Sequence, residues 1–210
     1  MKFSLSEVLH VIGQGVMEPC LIILVGLLVV AVWQFGDLLV EWFAERRKLR
    51  KNNIPLLLKK IHDDGSSNLE KTIEGSGLIS RQREILKILV GSRSLPKASL
   101  TAMAQRLLAS EEERYEKTTA VTDLVMRLGP MFGLLGTLIP LGPGIVALGE
   151  GDTMALSNSL GIAFDTTIAG VIAAGIACVI SNLRKRWYNS DMVTLETMME
   201  CILEEVSPND

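Results

Sequence analysis

Two long apolar runs separated by a short acidic turn constrain this chain more than anything else in it. No residue from Leu128 to Leu148 is charged, and at about 1.5 Å per residue that stretch covers roughly 30 Å, the thickness of a bilayer's hydrocarbon core. From Leu156 to Leu183 the residues are apolar apart from Asp165, Thr166, Thr167 and a few Ser, Asn and Gly. That run is also long enough to cross. Lipid offers no hydrogen-bond partners, so the backbone of such segments must pair within itself, and the two runs are predicted to form a helical hairpin.

A third apolar segment lies near the start. Cys20 to Trp33 is almost wholly apolar and is extended by Met17 to Pro19 before it and Gln34 to Val40 after it, which predicts a first crossing. Trp42 and Phe43 suit a membrane interface, and Arg46, Arg47, Lys48, Arg50 and Lys51 follow at once. Juxtamembrane positive charge of this kind stays on the cytoplasmic side. It explains the basic run without a nucleic-acid partner, which a net charge of -3 does not call for either. Arg184, Lys185 and Arg186 follow the last crossing, whereas the turn with Glu150 and Asp152 has no Lys or Arg. The N-terminus and the turn are therefore expected outside, and the C-terminus in the cytoplasm.

The expected organisation is all-α: an extracytoplasmic amphipathic segment (1–16), a first transmembrane helix (17–43), a cytoplasmic helical region (44–120), a second transmembrane helix (121–149), a short turn (150–155), a third transmembrane helix (156–183) and a cytoplasmic C-terminal helix (184–210). Ser4-Leu-Ser-Glu7 has capping-box spacing, and Leu5, Val8, Leu9, Ile12 and Val16 share a helix face that either lies along the membrane surface or extends the first crossing. With only Lys2 ahead of the apolar run and no small-x-small site after it, a cleaved signal peptide is not expected.

In the cytoplasmic region Ile54, Leu57, Leu58 and Ile61 share one helix face before the breaker Asp63-Asp-Gly-Ser-Ser67, and Ser67-Asn-Leu-Glu70 opens a short helix. Ile79 to Val90 predicts another helix. The last begins near Pro96, carries a Glu113 to Lys117 pair at favourable spacing, and runs without Gly or Pro into the second crossing. Leu195, Met198, Met199, Ile202 and Val206 form a stripe that should pack on these helices. Cys20, Cys178 and Cys201 lack paired or metal-ligand spacing, and His10 and His62 are isolated, so no disulfide framework, metal site or cofactor is expected. No nucleophile with a base and no phosphate-cradling loop is present either, which argues against an enzyme.

The chemistry concentrates in the hairpin. Gly129, Gly133 and Gly136, with Pro130 among them and Gly170 on the third crossing, predict close helix packing, since lipid supplies no hydrophobic drive for association. Pro140 and Pro143 release backbone carbonyls inside the membrane, which is tolerated where protein or water meets them. Packing alone accounts less well for Thr137, Thr166, Thr167 and Asp165, because an intramembrane carboxylic acid costs roughly 2.5 to 3.5 kcal/mol on the insertion scale. These four are the candidate residues of a water- or ion-lined path.

At these positions the sequence resembles the MotA/TolQ/ExbB proton-channel family. Gly-Leu-Leu-Gly-Thr137 is similar to that family's second-crossing motif, and Ala163-Phe-Asp-Thr-Thr167 with Ile-Ala-Gly170 to its third-crossing threonine motif, while the layout is closest to the short ExbB/TolQ branch. The resemblance implies a ring-shaped homo-oligomer, usually a pentamer. It also implies a single-crossing partner of ExbD/TolR/MotB type whose aspartate carries protons, coupling of ion flow to rotation, and pore-facing roles for Thr137 and Thr167. One departure stands out. Where that branch has a glutamate five residues before the third-crossing threonine, this chain has Ile162; Asp165 lies a turn away on nearly the same face. Asp165 is then either the acid displaced by a turn or a structural contact to a neighbouring subunit or partner. The competing readings are a passive membrane scaffold without ion flux and a self-sufficient channel or transporter.

Overall fold

A computed structural model describes residues 12–43, 57–59, 69 and 71–206 of the chain. The Ser4–Glu7 capping box, the Arg46–Lys51 cluster, Ile54, Ile61, the 63–67 breaker, both histidines and all of the second capping box but Leu69 lie outside the described residues, as does the side chain of Val206. Among the described residues all regular structure is helical. Four helices carry most of it: α1 Met17–Glu41, α2 Ser80–Gly91, α3 Lys97–Gly149 and α4 Thr153–Val206. Helices α1, α3 and α4 are long and apolar enough to cross a bilayer.

Helix α3 has 53 residues and α4 has 54, about 80 Å each at 1.5 Å per residue against a hydrocarbon core of about 30 Å. Neither is broken where the span begins, and α3 continues through Pro130, Pro140 and Pro143. The turn between them is closed by local chemistry. Gly151 takes a φ of 81°, and the Asp152 N–H bonds back to the Ala147 carbonyl at 2.9 Å, which ends α3 as a left-handed glycine cap does. Asp152 Oδ1 then accepts from the Ala155 N–H at 2.9 Å and caps α4. Of the two acids in the turn, Asp152 thus serves the start of α4.

The chain forms two compact units, one of Met1–Asp37 with Ala120–Asn182 and one of Leu38–Thr119 with Leu183–Asp210. In the first, α1 packs on the hairpin through Leu27 and Ala31 against Val125, Ala173 and Ala177, and the Cys20 thiol lies 3.4 Å from the Phe132 carbonyl. In the second, Ile85, Leu86, Leu89 and Val90 of α2 meet Leu100 and Ala104 of α3 and Leu195, Met198, Met199 and Ile202 of α4, which is the packing the C-terminal stripe predicts. Buried Gln82 ties α2 down at both ends of its amide. Its Oε1 accepts from the Ile79 N–H at 3.4 Å and its Nε2 donates to the Asp191 carbonyl at 3.0 Å.

Candidate functional site

The hairpin closes along a line of small residues. A Cβ on Gly129 would stand 2.7 Å from the Gly170 carbonyl oxygen, and one on Gly136 would stand 2.6 Å from the Thr166 Cβ. Gly144 meets Ser159 in the same way at 3.0 Å, so the contact runs antiparallel along most of the span. Gly133 lies in the line with ordinary clearance, 3.4 Å from the Thr166 carbonyl oxygen. Pro130 is exposed beside the line and is not buried in it.

This line decides where the candidate residues point. Thr166 is on it, 4% exposed, with its hydroxyl donating to the Ile162 and Ala163 carbonyls at 3.0 and 2.9 Å. Thr137 follows Gly136 by one residue and Thr167 follows Thr166 by one, so each is turned about 100° away from the line. In antiparallel helices the same sense of turn brings both to one flank. Both are half-buried there, Thr137 donating to the Leu134 carbonyl at 2.6 Å and Thr167 to the Ala163 carbonyl at 3.2 Å. Each hydroxyl has therefore spent its single hydrogen on its own helix and offers only oxygen lone pairs outward.

Asp165 precedes Thr166 and is turned the other way, about 200° from Thr167. It emerges exposed on the opposite flank, the one that carries Phe132 and Ile176 and packs against α1. The chain thus brings Thr137 and Thr167 together and Thr166 between the helices, and does not bring Asp165 to them within one protomer. A second acid does lie on the threonine flank. Asp123 of α3 is half-buried, and buried Ser181 of α4 donates to its Oδ1 at 2.5 Å. Sequence reading passed over this pair because Asp123 falls ahead of the uncharged run. The shared spacing of Asp123 to Thr137 and Thr167 to Ser181 was the available signal.

Glu111 and Arg184 are also buried, in the other unit, each beside a counter-charge. Glu111 is 1% exposed and accepts from Arg81 Nε at 2.9 Å, with Arg114 Nε 3.3 Å from its other oxygen. Glu111 in turn pushes the Arg81 guanidinium further toward its charged form. Arg184 is buried against Glu41 at 3.3 Å. Beside this pair Tyr115 and Tyr188 stack with centroids 4.3 Å apart and planes 12° from parallel. Among the described residues no group of His, Cys, Asp and Glu is placed to hold a metal ion.

The sequence profile of the MotA/TolQ/ExbB proton channel family matches residues 76–197, more than half of the chain and all of the hairpin. No curated protein matches the sequence. With three helices fit to cross a membrane and this match over two of them, the chain is a multi-pass membrane protein that belongs to the MotA/TolQ/ExbB proton channel family.

Proposed function

We propose that the chain is the ion-conducting, stator-type subunit of a cell-membrane motor, which converts ion-motive force into mechanical work rather than catalysing a reaction. In this reading identical copies, five as the resemblance implies, form a ring whose pore is lined by α3 and α4. The N-terminus lies outside and the C-terminus in the cytoplasm. A single-crossing partner of ExbD/TolR/MotB type sits within the ring and carries the proton-binding aspartate.

The observation that carries the reading is the pair of half-buried threonines at mid-span. Their hydroxyl hydrogens are held by the Leu134 and Ala163 carbonyls, so what they present is acceptor oxygen. A neutral carboxylic acid can donate to such oxygens, whereas a carboxylate cannot, and the site favours the protonated form of an acid presented to it. That is the preference needed where a proton carrier must cross apolar surroundings, since the neutral form is the one lipid tolerates. Thr166, sealed between the helices against Gly136, supports the wall.

The test is Thr137→Val and Thr167→Val in the complex purified with its partner and reconstituted into liposomes. Both variants keep the oligomer mass and abolish proton uptake driven by a potential. Full uptake in both would leave the passive scaffold as the reading, and a monomeric or dimeric mass for the wild-type chain would remove the ring.

A further inference from the structure

We propose that Asp123, held by Ser181, is the proton-exchanging residue at the mouth of the path on the side where α3 enters the membrane. The inference rests on the reading of Thr137 and Thr167 as the middle of that path and assigns its next station.

The argument is one of register. Asp123, Pro130 and Thr137 are spaced by seven residues along α3, and Ser181, Ala174 and Thr167 are spaced by seven back along α4. Seven residues fall about 20° short of two turns, so each series keeps to one side of its helix. The Asp123–Ser181 hydrogen bond at 2.5 Å fixes the two series level at one end. The approaches of Gly129 to Ala174 and of Gly136 to Thr166 hold the same register farther along. Asp123 is therefore on the flank of the threonines, opposite the one from which Asp165 emerges, and about 21 Å from Thr137 along the axis. With Thr137 near the middle of a core about 30 Å thick, that distance puts Asp123 at the membrane boundary, where water reaches it.

A carboxyl at that point can do what the threonines cannot. Its carboxylate takes a proton from hydronium arriving in the water along the flank, leaving water behind, and becomes a neutral acid. It then gives the proton to bulk water and returns to carboxylate, so no other reactant is needed. Ser181 donates to Oδ1 and so holds the carboxyl in place at that point of the flank. Arg127, one turn along α3 and exposed, keeps a cation near the mouth.

The test measures proton uptake by the partner-bound complex in liposomes, with Thr137→Val as the reference for a blocked path. Asp123→Asn keeps the acceptor for Ser181 but has no exchangeable proton, and is expected to lower flux to roughly a tenth or less with oligomer mass and melting unchanged. Asp123→Glu, which retains the acid, keeps flux, and it decides the question if the Asn variant fails to assemble. Full flux in Asp123→Asn while Thr137→Val is silent overturns this assignment and leaves the proposed function standing. A Glu variant without flux overturns it as well, because the site then depends on shape and not on the proton. A wild-type complex that passes no protons overturns both.

Discussion

Gly170 and Gly129 meet backbone to backbone: a Cβ on Gly170 would stand 2.5 Å from the Gly129 carbonyl oxygen and 3.0 Å from the Gly133 Cα. Backbone cannot swing aside as a side-chain tip can, so Gly170→Ala forces α3 and α4 apart. Overpacking of this kind costs about 1 to 3 kcal/mol. Gly170→Ala should lower the melting temperature in nanodiscs, whereas Gly26→Ala, where nothing lies within 4 Å, should leave it level or raise it. Equal shifts in the two variants would mean that the glycine line does not set the hairpin's packing.

Arg184 and Glu41 form a pair whose side chains are 5% and 19% exposed. Removing one partner leaves the other charge without compensation. Arg184→Met should therefore destabilise by about 3 kcal/mol, the lower end for a broken buried pair because Glu41 keeps some exposure. The double variant Arg184→Met with Glu41→Leu should recover most of that loss in thermal melts. A double variant as unstable as the single one would show that packing around Arg184, and not its charge, was lost.

Tyr188 is half-buried, and burial, with Glu41 adding to it and Arg184 opposing, pushes its phenol up to about 12. The unfolded chain releases that proton near pH 10. Between these values the unfolded state binds fewer protons than the folded one, so the contribution is complete below about pH 10 and is lost as pH rises toward 12. Wild-type melting temperature should fall more steeply across that window than that of Tyr188→Phe. Parallel curves would remove the perturbed phenol.

What was legible in the sequence followed from periodicity and from uncharged length. The three spans, the start of α3 beside Pro96 and the stripe from Leu195 to Ile202 all rest on which residues are apolar and how often, and lipid or a helical core reads that pattern directly. What was not legible depended on pairing between distant segments. Arg184 reads in sequence as one of three charges marking the cytoplasmic side, yet it is spent on Glu41, and nothing in the spacing of Tyr115 and Tyr188 announces that their rings stack. The flank on which Asp165 emerges could be found only once the contact line through Gly136 and Thr166 was known. Helical spacing gives angles between residues of one helix but no absolute direction.

That direction makes Asp165 the sharpest remaining test. It is exposed within the span, on the flank away from Thr137 and Thr167, and an acid at that depth needs water or a partner from beyond its own protomer. If it exchanges protons during function, Asp165→Asn keeps size and hydrogen bonding, removes the exchangeable charge, and cuts proton flux while oligomer mass and partner binding stay as they were. If it instead pairs with a cation of a neighbouring subunit or the partner, the same change strands that cation and weakens assembly by about 3 to 5 kcal/mol. The expected outcome is the first, with flux lost and the ring intact, measured by uptake in liposomes beside mass in detergent. An Asn variant with normal flux would end the proton-relay role for Asp165 and leave Asp123 as the acid of the path.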